Sequence, residues 1–225
     1  MRIMQNRYTH LLFDIDGTLV DTEKTGVESL RKTVKTLMNN EMTYDESYRF
    51  FGIPSHRVPG ILGYSQAEEF IKNWQSNFME LSYYMTLFPG VSDLLHELKK
   101  QGFKMGVVTS RSRFELDFDK NFTQVKDCFN IEITADVTTK HKPDPDPALA
   151  YMKMAGEMEG RTISADECLF LGDTIYDYRC GHDAGCDFAL ADWRSRGLQD
   201  IPAEHRFTSA YELRELLMPI PPRDA

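Results

Sequence analysis

Apolar and polar positions fall into blocks along the chain that predict both strands and helices. Residues 11–15 form a nearly continuous apolar run, which predicts a strand buried on both faces. Between residues 20 and 86 the apolar positions recur every three or four residues, which predicts helices and little strand. Beyond residue 89 short apolar runs alternate with helical periodicity. The predicted helices of the first block cover residues 22–40, 44–51 and 66–85. The later block predicts strands at residues 103–108, 131–134, 168–171 and 187–191, and helices at residues 91–101, 112–121, 146–155, 175–184 and 211–218.

The order of these elements predicts the fold class. Repeated strand–helix units form a parallel sheet with helices on both faces. Because an all-helical block separates the first strand from the others, we expect an α/β fold. It would be a doubly wound, mostly parallel, Rossmann-like sheet with an α-helical cap domain inserted after the first strand. Residues 1–19 and 87–225 would form the catalytic core domain and residues 20–86 the helical cap domain. The closing sequence PIPPRDA, residues 219–225, predicts a disordered tail.

Composition restricts the classes of partner. The chain has 225 residues, 35 of them acidic and 26 basic, with a formal net charge of −9. This balance argues against nucleic acid and anionic membrane as partners. A small phosphorylated metabolite is compatible with it, because such a ligand needs a positive charge only locally. The first ten residues lack the apolar stretch of a signal peptide, and the chain contains no apolar run long enough for a membrane span.

The four cysteines indicate the redox compartment. They show no Cys-x-x-Cys spacing; Cys168 falls in a predicted strand and Cys180 in a predicted helix. We therefore expect buried thiols and a reducing, cytoplasmic setting. The sequence leaves the oligomeric state open between monomer and homodimer.

The first chemical motif follows the first predicted strand. Asp14 and Asp16 flank one residue, and Gly17 supplies a turn. An aspartate at a strand end of an open α/β sheet lies where ligands bind and can accept a phosphoryl group as a covalent nucleophile. A calcium-binding EF-hand loop does not fit, because Leu19 and Thr25 stand where that loop needs glycine and glutamate. The motif therefore favours phosphoryl transfer.

Two further segments carry groups that suit a phosphate. Thr109 and Ser110 follow the next predicted strand, and their hydroxyls and backbone N–H groups can hold phosphate oxygens, although such a pair usually marks an ordinary turn. Lys142 precedes Pro143, which is expected to keep the backbone extended. A lone lysine is more often a surface charge, and its neighbour Lys140 serves as an internal comparison.

A third predicted strand ends in two more carboxylates. Gly172 lets the chain turn out of the strand, and Asp173 follows it directly. Asp177 lies four residues further on, close to Asp173 if a helix begins here, although it can equally cap that helix.

The parallel topology brings these groups to one edge of the sheet. Four aspartates, Asp14, Asp16, Asp173 and Asp177, would then lie within a few ångströms of one another. Like charges about 4 Å apart repel by roughly 4 kcal/mol at an effective dielectric constant of about 20. A bound Mg²⁺ and Lys142 together offset most of this repulsion, so a divalent metal is expected on electrostatic grounds. The same acidic surroundings favour an Asp16 able to donate a proton.

Taken together, the motifs resemble those of the haloacid dehalogenase superfamily. The match spans almost the whole chain, and its first and last motifs are the most specific. The helical block resembles the cap of the subgroup that includes phosphoglycolate phosphatases, β-phosphoglucomutases and pyrophosphatases. The matching segments are Asp14-Ile15-Asp16-Gly17-Thr18-Leu19-Val20-Asp21-Thr22, Thr109-Ser110, Lys142-Pro143-Asp144-Pro145 and Gly172-Asp173-Thr174-Ile175-Tyr176-Asp177.

The resemblance implies a role for each catalytic position. Asp14 would attack phosphorus and become an aspartyl-phosphate, and Asp16 would protonate the leaving alcohol and then activate water. Thr109 and Ser110 would bind the transferred phosphoryl oxygens. Lys142 would neutralise charge on the phosphate and the nucleophile. The acid at position 16 favours phosphate esters, because true dehalogenases lack it.

The resemblance also implies a Mg²⁺ cofactor and its ligands. The metal would be held by Asp14, by the backbone carbonyl of Asp16 and by Asp173, with Asp177 supporting or joining the shell. Such reactions need mainly positioning and charge neutralisation.

The sequence favours a Mg²⁺-dependent phosphatase acting on a small phosphate monoester such as phosphoglycolate. A β-phosphoglucomutase-like mutase, a pyrophosphatase and, more remotely, a non-catalytic phosphate-binding module stay open. The basic residues nearest the presumed cleft are candidates for contacts to a distal acid group of the substrate, but the favoured interpretation of each is a solvated surface charge. They are His56, Arg57, Arg111 and Arg113.

Overall fold

The computed structural model describes residues 7–51, 53, 55–194 and 200–218. These residues form two compact units. One is the segment Asp21–Thr86, and the other contains the described residues on either side of that segment. The predicted tail at residues 219–225 lies outside the described residues.

A six-stranded parallel sheet forms the centre of the larger unit. Its strands are β1 (His10–Phe13), β4 (Lys104–Val108), β5 (Ile131–Ile133), β6 (Cys168–Gly172), β7 (Asp187–Ala191) and β8 (His205–Phe207). They lie in the order β5-β4-β1-β6-β7-β8, and each neighbouring pair is parallel. The chain moves outward from β1 in one direction and then returns to the other side. This is the doubly wound α/β topology predicted from the sequence.

Both faces of this sheet are buried. All four residues of β1 are buried, including His10. Leu12, Phe170 and Phe188 pack on one face against the helices α8 (Asp146–Glu159) and α9 (Ile175–Asp183). Since successive side chains of a strand point to opposite faces, Leu11 faces the other side, where it is also fully buried. The other helices of this unit are α5 (Val91–Lys100), α6 (Arg113–Phe118), α7 (Lys120–Thr123) and α10 (Ala210–Leu217).

The smaller unit has a helical core of its own. Its helices are α1 (Glu23–Met38), α2 (Tyr44–Tyr48), α3 (Val58–Ile61) and α4 (Ala67–Glu80). Leu30 and Val34 of α1 meet Phe70 of α4 and Val58 of α3 in a buried apolar cluster.

Two short strands, β2 (Val20–Asp21) and β3 (Thr86–Leu87), pair with each other.

The structure differs from the predicted elements at a few positions. β8 is absent from the prediction because only Phe207 of its three residues is buried, so it has no apolar run. The predicted helix at residues 112–121 is two helices, because the extended Asp119 ends α6 and caps α7. Helix α8 runs on to Glu159 and stops at Gly160, which has a positive φ of 67°. The Lys142–Pro143 peptide bond is cis.

The prediction of buried thiols is confirmed, since all four cysteines are free and buried. Among the described residues, none of the helices is both long enough and apolar enough for a transmembrane segment.

Candidate active site

Asp14 directly follows β1 at the carboxyl edge of the sheet. Its backbone N–H donates to the Leu171 carbonyl at 2.8 Å, which extends the pairing of β1 with β6 by one residue. The residue is only 4% exposed. Burial raises the pKa of the Asp14 carboxyl well above its ordinary value, whereas the Lys142 ammonium lowers it. This carboxylate therefore depends on nearby positive charge to stay ionised.

A tight turn carries the chain from Asp14 to β2. The Ile15 carbonyl accepts hydrogen bonds from the backbone N–H groups of Thr18, Leu19 and Val20. Gly17 has a φ of 82°, and a Cβ at this position would lie 2.1 Å from Oδ2 of Asp173. The glycine thus serves both the turn and the close approach of the turn to Asp173.

The loop after β6 presents two buried carboxylates. Asp173 is 3% exposed and Asp177 is 1% exposed. Thr174 and Asp177 form a capping box at the start of α9: Oδ2 of Asp177 accepts from the Thr174 N–H at 3.0 Å, and the Asp177 N–H donates to Oγ1 of Thr174. Gly172 fits because a Cβ there would lie 2.3 Å from Cβ of Asp177. Asp177 is thus a helix cap whose second oxygen, Oδ1, faces Lys142.

Lys142 connects the two motifs. Its Nζ donates to Oδ1 of Asp14 at 2.5 Å, to Oδ1 of Asp177 at 2.7 Å and to the Val108 carbonyl at 3.2 Å. Burial lowers the pKa of this ammonium, but the two carboxylates outweigh burial and raise the pKa. The side chain is 7% exposed, whereas Lys140 is 63% exposed and pairs with surface carboxylates. The structure therefore distinguishes these neighbouring lysines.

Thr109 and Ser110 follow β4, the neighbour of β1. Thr109 is buried, and its N–H donates to the Ile133 carbonyl at 2.9 Å, while Ser110 is exposed. The ends of β4, β1 and β6 therefore place Thr109, Asp14 and Asp173 side by side. From β1 the chain first adds strands on one side of the sheet and then returns to add strands on the other side. Ligands bind at this position in open α/β sheets.

The donor set of this edge fits a divalent metal ion. Asp14, Asp173 and Asp177 are all buried, and each offers a carboxylate oxygen within 4.8 Å of the others. Lys142 supplies one positive charge against three carboxylates. Because oxygen ligands suit Mg²⁺, and because uncompensated buried carboxylates are costly, these residues can hold such an ion.

The Asp16 carboxylate is outside the group of three whose oxygens lie within 4.8 Å of one another, although its charge is near enough to raise the pKa of Asp14. Arg111 binds both oxygens of Asp16, Nε to Oδ2 at 2.9 Å and Nη2 to Oδ1 at 2.7 Å. The nearest charge to this carboxylate is therefore a cation rather than the acidic group expected. The proposed backbone carbonyl ligand at residue 16 stays a prediction.

The interpretation of Arg111 as a solvated surface charge is wrong. Its side chain is 7% exposed, and Nη1 donates to Oδ2 of the fully buried Asp119 at 2.6 Å. Burial lowers the pKa of Arg111, but Asp16 and Asp119 outweigh burial and raise it. The sequence carried one signal for this residue, its position two residues after Thr109. Its long-range partners were not visible in the sequence.

The other basic candidates have different surroundings. Arg113 is 42% exposed and pairs with Glu132. His56 and Arg57 are exposed on a short 3₁₀ segment of the helical unit.

Comparison with known proteins gives consistent similarities. The model of the haloacid dehalogenase-like hydrolase family matches residues 11–191. Pyrophosphatase PpaX of Bacillus cereus (strain AH820) is 28% identical over 188 residues, which cover 83% of this chain and 84% of that protein. A Clostridium perfringens (strain 13 / Type A) protein, provisionally named pyrophosphatase PpaX, is 32% identical over 176 residues, covering 78% and 79%. The crystal structure of a Lactobacillus plantarum protein, provisionally named phosphoglycolate phosphatase, has a TM-score of 0.84 at 25% identity and covers 93% of this chain and 99% of that one.

Proposed function

This chain belongs to the haloacid dehalogenase-like hydrolase family, and we propose that it is a Mg²⁺-dependent phosphatase that hydrolyses a small phosphate monoester through an aspartyl-phosphate on Asp14. The observation that carries this proposal is the position of Lys142. Its ammonium binds Asp14 and Asp177 at once, within a cluster of three buried carboxylates at the carboxyl edge of the sheet. A single lysine leaves that cluster with excess negative charge. A divalent metal would balance this charge and help to hold a phosphate, whereas a purely structural ion pair would need no third carboxylate.

In the first step the phosphoryl group passes to Asp14, and each residue of the site has its own part in this transfer. An oxygen of Asp14 attacks phosphorus while the bond from phosphorus to the ester oxygen breaks, and Asp16 gives a proton to the departing alkoxide. Thr109 and Ser110 would hold the transferred phosphoryl oxygens. Positioning of this kind and charge neutralisation account for most catalysis in phosphoryl transfer.

The second step restores the aspartate. A water molecule attacks phosphorus and gives its proton to Asp16, and the bond between phosphorus and Asp14 breaks, which releases inorganic phosphate. Asp16 is thus a general acid in one step and a general base in the next.

Asp14, Asp173 and Asp177 would hold the Mg²⁺, together with the carbonyl of residue 16. When bound, the ion would neutralise negative charge that develops on the phosphoryl oxygens. We propose a cytoplasmic location for the enzyme, with a small phosphorylated metabolite as substrate and without nucleic acid or membrane as partner.

One candidate substrate stands out for the proposed monoesterase, and pyrophosphate, a phosphoanhydride, stands out for the alternative of a pyrophosphatase. Phosphoglycolate is suggested by the name of the similar Lactobacillus plantarum structure, and pyrophosphate by the names of the Bacillus and Clostridium relatives. The deciding experiment measures inorganic phosphate released from phosphoglycolate, pyrophosphate, sugar phosphates and an aryl phosphate. Asp14→Asn is the blank, since it removes the attacking oxyanion with little change of shape.

Metal removal and a matched pair of lysine variants test the site itself. We expect chelation to abolish phosphate release and added Mg²⁺ to restore it. Lys142→Met should lower kcat by about 10²-fold or more, as for other removed charge-stabilising groups. Lys140→Met should leave kcat within about two-fold, because surface substitutions seldom reach the site.

Three results would contradict the proposal. They are full activity after complete chelation, equal effects of the two lysine substitutions when unfolding curves show both variants folded, and absence of turnover on every ester despite tight phosphate binding. The last would favour a binding module. Conversion of one sugar phosphate isomer into another without phosphate release would indicate a mutase.

A further inference from the structure

The charged groups around Asp14 divide into two sets. Lys142 joins Asp14 to Asp177, whereas Arg111 joins Asp16 to Asp119. Each cation therefore contacts two carboxylates, and the proposed nucleophile and the proposed acid–base residue have different cationic partners.

The contact between Arg111 and Asp16 fixes an orientation. Asp16 is 37% exposed and lies in the turn after β1, where its side chain would otherwise sample several rotamers. Two parallel hydrogen bonds, at 2.9 and 2.7 Å, set both the position and the plane of its carboxylate. A lysine at position 111 would preserve the charge but not this planar fork.

Arg111 is itself held at three points. Its N–H donates to Oγ1 of Thr109 at 3.2 Å, its carbonyl accepts from the Ala135 N–H at 2.8 Å, and Nη1 donates to Asp119. The guanidinium therefore has a fixed location beside β4, from which it reaches across to the turn after β1.

Asp119 provides a rigid anchor for the guanidinium. Its side chain is fully buried, and its Oδ1 accepts from the N–H groups of Asn121 at 2.8 Å and Phe122 at 3.3 Å at the start of α7. Since Oδ1 is committed to the helix, Oδ2 is left for Arg111. A continuous chain of hydrogen bonds thus runs from a helix N-terminus to Asp16.

We propose that Arg111, anchored by Asp119, is a positioning residue that orients Asp16 for proton transfer. This inference rests on the proposed function. A buried arginine between two carboxylates contributes little net stability compared with apolar residues, whereas the exact placement of an acid–base group strongly affects the rate. Arg111 acts through Asp16 and is not assigned a contact with the substrate.

The proposal predicts an effect that depends on the leaving group. An alkoxide needs a proton to depart, whereas a dinitrophenolate does not. General acid catalysis contributes about 10²- to 10⁴-fold, so Arg111→Lys should lower kcat/KM for an alkyl phosphate such as glycerol phosphate by about 10²-fold. With dinitrophenyl phosphate the same variant should stay within about three-fold of the parent, since positioning of the acid contributes little there.

Arg214 provides the control, because it makes the same pair of hydrogen bonds to a carboxylate that has no part in the proposed reaction. Arg214 binds Glu97 through Nε at 2.7 Å and Nη2 at 2.8 Å, the fork seen between Arg111 and Asp16. Arg214→Lys should leave both kcat/KM values unchanged. In an Asp16→Asn background, Arg111→Lys should have no further effect on either substrate, because the group it orients is gone.

The outcomes separate this inference from the function on which it rests. Equal losses for both substrates, or losses that add to those of Asp16→Asn, would overturn the positioning role while leaving the phosphatase intact. An inactive parent enzyme, or an active Asp14→Asn variant, would instead overturn the function. If Arg111→Lys does not fold, Asp119→Asn takes its place, because it retains a capping oxygen but weakens the anchor. The same selective loss would support the inference, and an equal loss for both substrates would overturn it.

Discussion

Gly17 is the point at which the turn after β1 touches the loop after β6. Its φ of 82° is accessible to glycine at little cost, and a Cβ there would meet Oδ2 of Asp173 at 2.1 Å. We predict that Gly17→Ala displaces the Asp173 carboxylate, weakens Mg²⁺ binding by about ten-fold or more, as other displaced supports of metal ligands do, and lowers kcat with it. Titration calorimetry with Mg²⁺ alone measures the affinity.

Gly102 separates the effect of the backbone from the effect of the contact. It has a similar φ of 91°, but a Cβ there would find no atom within 4 Å. Gly102→Ala should therefore cost about 1 kcal/mol of unfolding free energy through the positive φ and leave Mg²⁺ affinity unchanged. Equal Mg²⁺ affinities for the two variants would mean that Gly17 serves only the turn.

At the scale of single residues, the sequence predicted which residues meet at the site better than it predicted the contacts that each of them makes. Asp14, Asp173 and Asp177 converge as expected because each follows a strand or begins a helix at a recognisable glycine turn. The pairing of Asp16 with Arg111 was not predicted, and Arg111 is buried rather than solvated. Their contact joins positions 95 residues apart, and no local pattern signals which of several arginines crosses that distance.

Helices α9 and α2 both begin with a capping box, one at the site and the other at an exposed position. Thr174 and Asp177 form a capping box on α9 at the site, and Thr43 and Glu46 form another on α2 at an exposed position. We predict that Thr174→Ala and Thr43→Ala each lower the unfolding free energy by about 1 kcal/mol, the usual cost of a lost cap. Thr174→Ala should also raise the Mg²⁺ concentration needed for half-maximal activity, since Asp177 loses the hydroxyl that helps to orient it.

Urea unfolding and Mg²⁺ titration of phosphate release measure the two effects separately. A change in Mg²⁺ requirement for both variants, or for neither, would show that the cap on α9 has no role in orienting Asp177.

The strands that the sequence predicts are those whose residues form a continuous apolar run. β1, β6 and β7 are buried on both faces, and their apolar runs appear directly in the sequence. β8 has one buried residue in three and follows no apolar run, so its place at the sheet edge depends on pairing with β7. The break between α6 and α7 depends on Asp119, whose role as a cap follows from an extended backbone that the sequence does not specify.

At the scale of the whole molecule, strand order determines where chemistry occurs. Because β1 lies between β4 and β6, the strand ends that carry Thr109, Asp14 and Asp173 are neighbours. The sequence predicted a parallel sheet, and hence one shared edge, but not the order within it. That order depends on which helices cover which face, a property of the assembled core rather than of any segment.

The opposite, amino edge of the same sheet holds a buried histidine. His10, the first residue of β1, is 1% exposed, and its Nδ1 lies 3.2 Å from the Tyr151 hydroxyl. That hydroxyl donates to the Lys104 carbonyl at 3.3 Å, which leaves its oxygen free to accept a hydrogen bond from Nδ1. Burial lowers the pKa of His10, although Glu159 partly opposes this.

This lowered pKa predicts a loss of stability in acid. Below the ordinary histidine pKa of about 6.5 the unfolded chain takes up a proton that folded His10 resists. The unfolding free energy must therefore fall as the pH decreases through that value, by at most about 1.4 kcal/mol per pH unit from this one group. His10→Asn, which keeps a donor near Nδ1, should flatten the dependence between about pH 7 and pH 5. Urea unfolding at several pH values measures these slopes, and parallel curves for the parent and His10→Asn would show that His10 takes up its proton equally in both states.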